Sequence, residues 1–206
     1  MDKVVILGAG GHAKVIADIL LQNNEYEIVG LVDSRIEQTF MGLRVIGDDE
    51  CLKHLYKQGV KKAFVAIGSN QLRRKLSVML ETIGFERINV ISGHAVISPT
   101  ACLGSGIAVM PGAVINACAS IGNGCIINTN ASVDHDVFIK EYTHIAPGNA
   151  IAGCVSIGEC CFIGIGCRII DNIIIGNNVT LGAGAVVLND IEDDHLAVGI
   201  PAKIKR

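Results

Sequence analysis

The chain has 206 residues, half of them hydrophobic but only 4% aromatic, with 24 glycines and no tryptophan. That length allows two small domains with a core each, and the near absence of aromatic rings requires a core of thin aliphatic layers, because rings carry much of an ordinary core's buried area. A net charge of −3 excludes the basic footprint of a nucleic-acid or anionic-membrane binder.

In chain order, Lys3–Leu7 (KVVIL) predicts a buried strand, followed by a glycine loop, Gly8-Ala9-Gly10-Gly11-His12-Ala13, and a helix to about Asn24. A second strand, EIVGLV, ends at Asp33. This order of strand, glycine loop, helix, strand and acid is that of a dinucleotide fold, where tight backbone and a helix N-terminus receive an anion. A later strand, KKAFVAIG, meets Ser69-Asn70 and the helical stretch QLRRKLSVMLETIG, and FERINVI leads into the second half. We place the boundary between residues 1–90, a Rossmann-like α/β domain, and 91–206. The loop departs from the full dinucleotide fingerprint, reading G-x-G-x-x-A, and a plain strand-to-helix turn would also explain it.

From Ile97 the sequence divides into sixteen hexads without an insertion, through Glu192. Every first position is Ile, Leu or Val, and fourteen of the sixteen fifth positions are Ala, Cys, Val or Ile, Thr143 and Asn149 being the exceptions. A period of six fits neither a helix nor a flat strand and predicts a β-solenoid, with Ile127 stacked on Ile145 and then Ile163. The eight cysteines contain no C-x-x-C pair and read as reduced thiols acting as small hydrophobes.

The bland pattern breaks at VDHDVFIKEYTHIAPGNAIAG, which carries Asp134, His135, Asp136, Glu141 and His144. His135 stands at hexad position three, outside the inward ladder, and a neutral imidazole is suited to accept a proton near neutral pH. Asp136 would orient it. No Cys or Ser reads as standing beside a base, so direct attack without ping-pong kinetics is expected. Ala152-Gly153, one coil on from His135, would supply an N–H for a developing oxyanion.

GAGGHA, the acid closing the second strand, AIGSN, the hexads and the closing Gly199-Ile200-Pro201-Ala202-Lys203 together resemble the hexapeptide-repeat acyltransferases of the sialic acid and bacillosamine type, along the whole chain. The resemblance implies a left-handed parallel β-helix, against the usual right-handed crossover. It further implies a homotrimer with active sites between subunits, using acetyl-CoA as co-substrate and no tightly bound cofactor or metal; the lack of an apolar run near ~18 residues and the opening MDKVVILGAG read as cytoplasmic. The reaction implied is acetylation of the 4-amino group of a UDP-linked amino sugar, with O-acetylation of sialic acid as the alternative. A carbonic anhydrase of the γ type, with zinc on His135 and His144, and an NAD-binding regulator are the more remote readings. By resemblance Gly10, Gly11, His12, Asp33, Ser34, Gly68 and Asn70 bind the nucleotide sugar. His135 and Asp136 are catalytic, the Asp being shorter than the Glu some relatives carry. His144, Gly153, Ile165 and Ala183 line the acetyl-CoA groove, and Lys203 is a candidate for the CoA phosphates.

Overall fold

An unbroken run of β-branched residues, Val4, Val5 and Ile6, gives β1 (Asp2–Leu7), whose last four residues are fully covered on both faces, as a central parallel strand requires. A computed structural model describes residues 1–35 and 39–205, and the chain divides into two units, Met1–Val90 and Ile91–Arg206.

In the first unit β1 is followed by α1 (Gly11–Asn23), which buries Ala13, Ile16, Ala17 and Leu20 on one stripe and ends on a left-handed Asn24. Next come β2 (Tyr26–Val32), β3 (Thr39–Phe40), β4 (Leu43–Gly47), a 3-10 turn (Asp49–Cys51) and α2 (Leu52–Lys57). The unit closes with β5 (Lys62–Val65), α3 (Asn70–Ile83) and β6 (Glu86–Arg87). The sheet order is β3-β4-β2-β1-β5-β6. The strands from β3 through α2 were not legible in the sequence, where short, mixed-polarity segments give no periodic signal. Because β2 and β5 pair with opposite edges of β1, the strand order reverses at β1, and a crevice opens beyond the carboxyl ends of these strands.

The second unit is a left-handed parallel β-helix. Two-residue strands recur every eighteen residues on three faces, so Ile127 pairs with Ile145 and Ile145 with Ile163, then Leu181. Each coil therefore holds three hexads. The inward first and fifth positions form one continuous core in which Ile127, Ile145, Ile157 and Ile163 are completely buried, and each such side chain stabilises by about 1.5–3 kcal/mol. Of the polar exceptions, Thr143 is satisfied within it, its hydroxyl donating to Gly158 O and accepting from Cys161 N, whereas Asn149 donates through Nδ2 to Ala146 O and leaves Oδ1 buried with no partner among the described residues. Cys125, Cys161 and Cys167 are buried at fifth positions and donate to backbone carbonyls; burial pushes the Cys161 thiol up to about 11. All eight cysteines are free.

Two features of the coil differ from the linear reading. Ile91 and Ala95 already pack on the core, so the inward pattern begins one hexad before Ile97. At the other end Ile191 pairs with Ile175, and Leu196 with Thr180, so the last coil is two residues short and Ile191 takes a first-position place. The closing motif forms a cap: Val198 pairs antiparallel with Lys203, and Ala202 N donates to Val186 O at 2.7 Å.

Candidate active site

Position four of the hexad is left-handed throughout the regular coils, filled mainly by Gly or Asn but also by Cys118, Tyr142, Cys160, Asp136 at φ 56° and Cys154 at φ 60°. This sharp bend turns the preceding residue's side chain out of the prism at each corner. At one corner the stacked turns are Ala117-Cys118, His135-Asp136, Gly153-Cys154 and Asp171-Asn172. They are tied by bonds from Asp136 N to Ala117 O, Cys154 N to His135 O and Asn172 N to Gly153 O.

His135 is therefore held from three sides. Its Nδ1 donates to Asp136 Oδ2 at 2.8 Å, so the shorter acid reaches the ring, and Nε2 carries the lone pair. Its backbone N–H donates to Asp134 Oδ1 at 2.7 Å, and Asn116 Nδ2 donates to the same oxygen. Those bonds hold the Asp134 carboxyl below its usual range. The hydrogen bond to Asp136 raises the basicity of His135, partial burial opposes it, and the charges of Asp134 and Asp136 add to the rise. The ring remains 56% exposed. A Cβ on Gly153 would lie 2.6 Å from His135 Cε1 and 2.7 Å from Nε2, so the ring lies against backbone that only glycine allows.

The coil separates the other polar residues of this stretch. Glu141 lies at the next corner, where it accepts from Asn123 Nδ2 at 2.7 Å. His144 lies on the face beyond, its Nε2 3.1 Å from Asn128 Nδ2 and its ring edge-on to Phe162. Ile165 is exposed and shares a third corner with Ala183, whose neighbour Gly184 donates to Ile165 O. Within one chain, Gly153 alone of the four groove candidates stands beside His135.

Sequence order also concealed a neighbour. Cys154 stands beside the candidate base, correcting the expectation that no Cys does: donor atoms of His135, Asp136 and Cys154 all lie within 4.8 Å of one another. One coil of eighteen residues intervenes in the sequence.

In the first unit Gly8–Gly11 follow β1, Asp33 and Ser34 follow β2, and Gly68–Asn70 follow β5, so the predicted sugar-nucleotide residues converge at the crevice. Gly8 donates to Val32 O at 2.7 Å with φ 111°, and a Cβ there would meet Ala66 O at 2.9 Å. Asp33 accepts from Ala9 N at 2.8 Å and from Arg35 through N, Nε and Nη2. The Arg35 hydrogen bonds hold its carboxyl far below the usual range against burial. Its side chain is only 9% exposed, which makes it first a brace for the glycine loop. A cavity of about 330 Å³ lies along Gly8, Asp33, Ser34 and Ile67. A second, about 470 Å³, is lined by Gly10 and Gly11 at the α1 N-terminus with Lys14 and Arg35, a cationic setting for phosphate.

Asn70 is buried, its Oδ1 accepting from Arg73 Nη2 at 2.8 Å, while Nη1 of the fully buried Arg73 holds the carbonyls of Ile67 and Gly68. The pair shapes the loop after β5; Asn70 is singled out in the sequence, whereas Arg73 is not. His12 Nε2 is buried with no hydrogen-bond partner among the described residues. Burial, then the Arg73 charge, pushes its pKa down to about 4.

Residues 3–80 match the PglD N-terminal domain family and residues 154–189 the six-repeat bacterial transferase hexapeptide family. A perosamine N-acetyltransferase of Caulobacter crescentus, solved as a histidine-to-asparagine variant with CoA and GDP-perosamine, is 45% identical. It covers 100% of this chain and 98% of its own, with a TM-score of 0.98. The acetyltransferase domain of PglB from Neisseria gonorrhoeae FA1090, solved with acetyl coenzyme A, is 37% identical over 98% of each chain, with a TM-score of 0.95. An uncharacterized protein of Acanthamoeba polyphaga mimivirus is 36% identical over 122 residues, 58% of this chain and 24% of that protein.

Proposed function

Because the chain belongs to the hexapeptide-repeat nucleotide-sugar N-acetyltransferases, we propose that it transfers acetyl from acetyl-CoA to the amino group of a nucleoside-diphosphate-linked amino sugar, with His135 as general base. The observation that carries this is the His135 ring, bonded to Asp136 at 2.8 Å and laid against Gly153.

The amine must lose a proton as its lone pair attacks the thioester carbonyl. His135 Nε2 takes that proton, and Asp136 fixes the tautomer and stabilises the imidazolium. The Ala152 amide is spent on Ile169 O at 3.1 Å, so of that pair Gly153 N–H is the donor assigned to the oxyanion. Collapse of the tetrahedral intermediate expels the CoA thiolate. Attack is direct, so replacing Cys154 by Ser should leave turnover within about threefold of wild type.

The nucleotide sugar is assigned to the crevice of the first unit, its phosphates to Gly10, Gly11, Lys14 and Arg35. The sequence resemblance favoured UDP; the 45% identity over the whole chain to the enzyme solved with GDP-perosamine favours GDP. Acetyl-CoA is assigned to a groove lined by Gly153 of one subunit and His144, Ile165 and Ala183 of a neighbour in a homotrimer. A reducing cytoplasmic setting suits the eight free thiols, and among the described residues no helix is long and apolar enough to cross a membrane.

The test measures thiol release from acetyl-CoA with GDP-perosamine, a UDP-linked 4-amino sugar and sialic acid as acceptors. Turnover of sialic acid alone would overturn the assignment. His135→Ala should lower kcat by about 10²–10⁴; a loss below threefold would remove His135 from the role of base.

A further inference from the structure

The solenoid corner that carries the candidate base also assembles a donor set of different chemistry. His135 and Asp136 come from one coil and Cys154 from the next, and one ligand-capable atom of each lies within 4.8 Å of the other two. Imidazole, carboxylate and thiolate are together the donor types of a four-coordinate zinc site with one open position. Zinc bonds of about 2.0–2.3 Å at tetrahedral angles put donors about 3.5 Å apart, so side-chain shifts of about 1 Å close the triangle. The backbone already fixes its edges, since Cys154 N donates to His135 O at 3.0 Å and both Asp136 and Cys154 leave the corner from left-handed turns. All three side chains are exposed, which leaves room for a fourth ligand from solvent.

We propose that His135, Asp136 and Cys154 form a binding site for a soft divalent cation, zinc above all, whose occupation switches acetyl transfer off. On binding, the Cys154 thiol releases its proton to solvent as Sγ joins the metal, and an imidazole nitrogen gives it a lone pair. Bound at Nε2, the metal consumes the base's lone pair; bound at Nδ1, it selects the tautomer in which the ring proton has moved from Nδ1 to Nε2, leaving no lone pair there to accept the amine's proton. Either way the base is lost. The inhibitory half rests on the proposed role of His135, whereas the binding half does not.

The whole protein is titrated with zinc chloride by calorimetry, and with cobalt chloride by absorption, where tetrahedral thiolate coordination gives intense visible bands. One equivalent per chain is expected. Cys154→Ser, His135→Asn and Asp136→Asn should each weaken it at least tenfold, while Cys118→Ser, at the same corner one coil below Asp136, should leave it unchanged. Circular dichroism identifies any variant that has failed to fold. In parallel, zinc should abolish acetyl transfer by the wild type, a chelator should restore it, and Cys154→Ser should keep its activity in zinc. Undiminished binding by Cys154→Ser, or an equal loss in Cys118→Ser, would overturn the site. One-equivalent binding through these three residues with transfer unaffected would overturn the inhibition and, separately, the role of His135 as base.

Discussion

The contact between His135 and Gly153 sets the strictest condition at the level of single residues. A methyl group at position 153 would lie 2.6 Å from the imidazole Cε1, and the ring, not the hydrogen-bonded coil, is free to yield. Gly153→Ala should therefore swing the base away while leaving the core intact, lowering kcat by about 10²-fold, the cost of a displacement near 1 Å. An unchanged thermal midpoint measured beside the kinetics would separate this from unfolding. His12 offers a second prediction. Its pKa is about 4 in the fold and 6.5 when unfolded, so between these values the unfolded chain binds more protons and stability rises with pH. The contribution is complete above pH 6.5 and is lost as pH falls toward 4, with about 2 kcal/mol disappearing between pH 7 and pH 5. Urea midpoints at those two pH values should show that loss in the wild type and a smaller one in His12→Gln. His135, Asp136 and Gly153 were legible because a polar pair interrupts a monotonous repeat and a period of eighteen brings Gly153 over it. Cys154 stands over Asp136 by the same period but passed unmarked, because a cysteine in an aliphatic repeat reads as one more small hydrophobe.

For the elements, legibility follows from how many independent residues report the same period. First-position aliphatics at every hexad define the solenoid before any coordinates, because a strand's inward side chain has no alternative partner but its counterpart eighteen residues away. The repeat conceals its own ends: the shortened last coil replaces one inward Ile by another, and only the pairing of Ile175 with Ile191 exposes the slip. In the first unit β1, α1, β2, β5 and α3 announce themselves, while β3, β4 and α2 are too short and too polar to do so. The ladder also predicts its own energetics. Ile157 is completely buried, with Ile139 and Ile175 as its partners above and below, so neither neighbouring coil can collapse into a space left there. Ile157→Ala should cost about 2–5 kcal/mol, read from chemical denaturation, with KM values for both substrates unchanged.

At the scale of the whole molecule, one chain does not gather the residues assigned to acetyl-CoA. His135 and Gly153 stand at one corner of the prism, whereas Ile165 and Ala183 share another, and eighteen-residue stacking keeps these columns apart in every coil. The proposed trimer would resolve this by setting one subunit's His135 corner against a neighbour's Ile165 corner. Sedimentation should accordingly give a trimer, and the shared site should show complementation. His135→Ala lacks the base, and Ile165→Asp places a charge in the apolar wall; each alone should be inactive. Co-expressed in equal amounts and assembled at random, the two variants give an intact corner pair only where an Ile165→Asp subunit supplies His135 to a His135→Ala subunit supplying Ile165. Such pairs make up roughly a quarter of the sites in a cyclic trimer, so activity should return to about that fraction of the wild type. Mixing the purified homotrimers without reassembly should restore none. Full inactivity of the co-expressed material, with mixed trimers verified by two affinity tags, would place both corners' contributions within one subunit and exclude the shared groove.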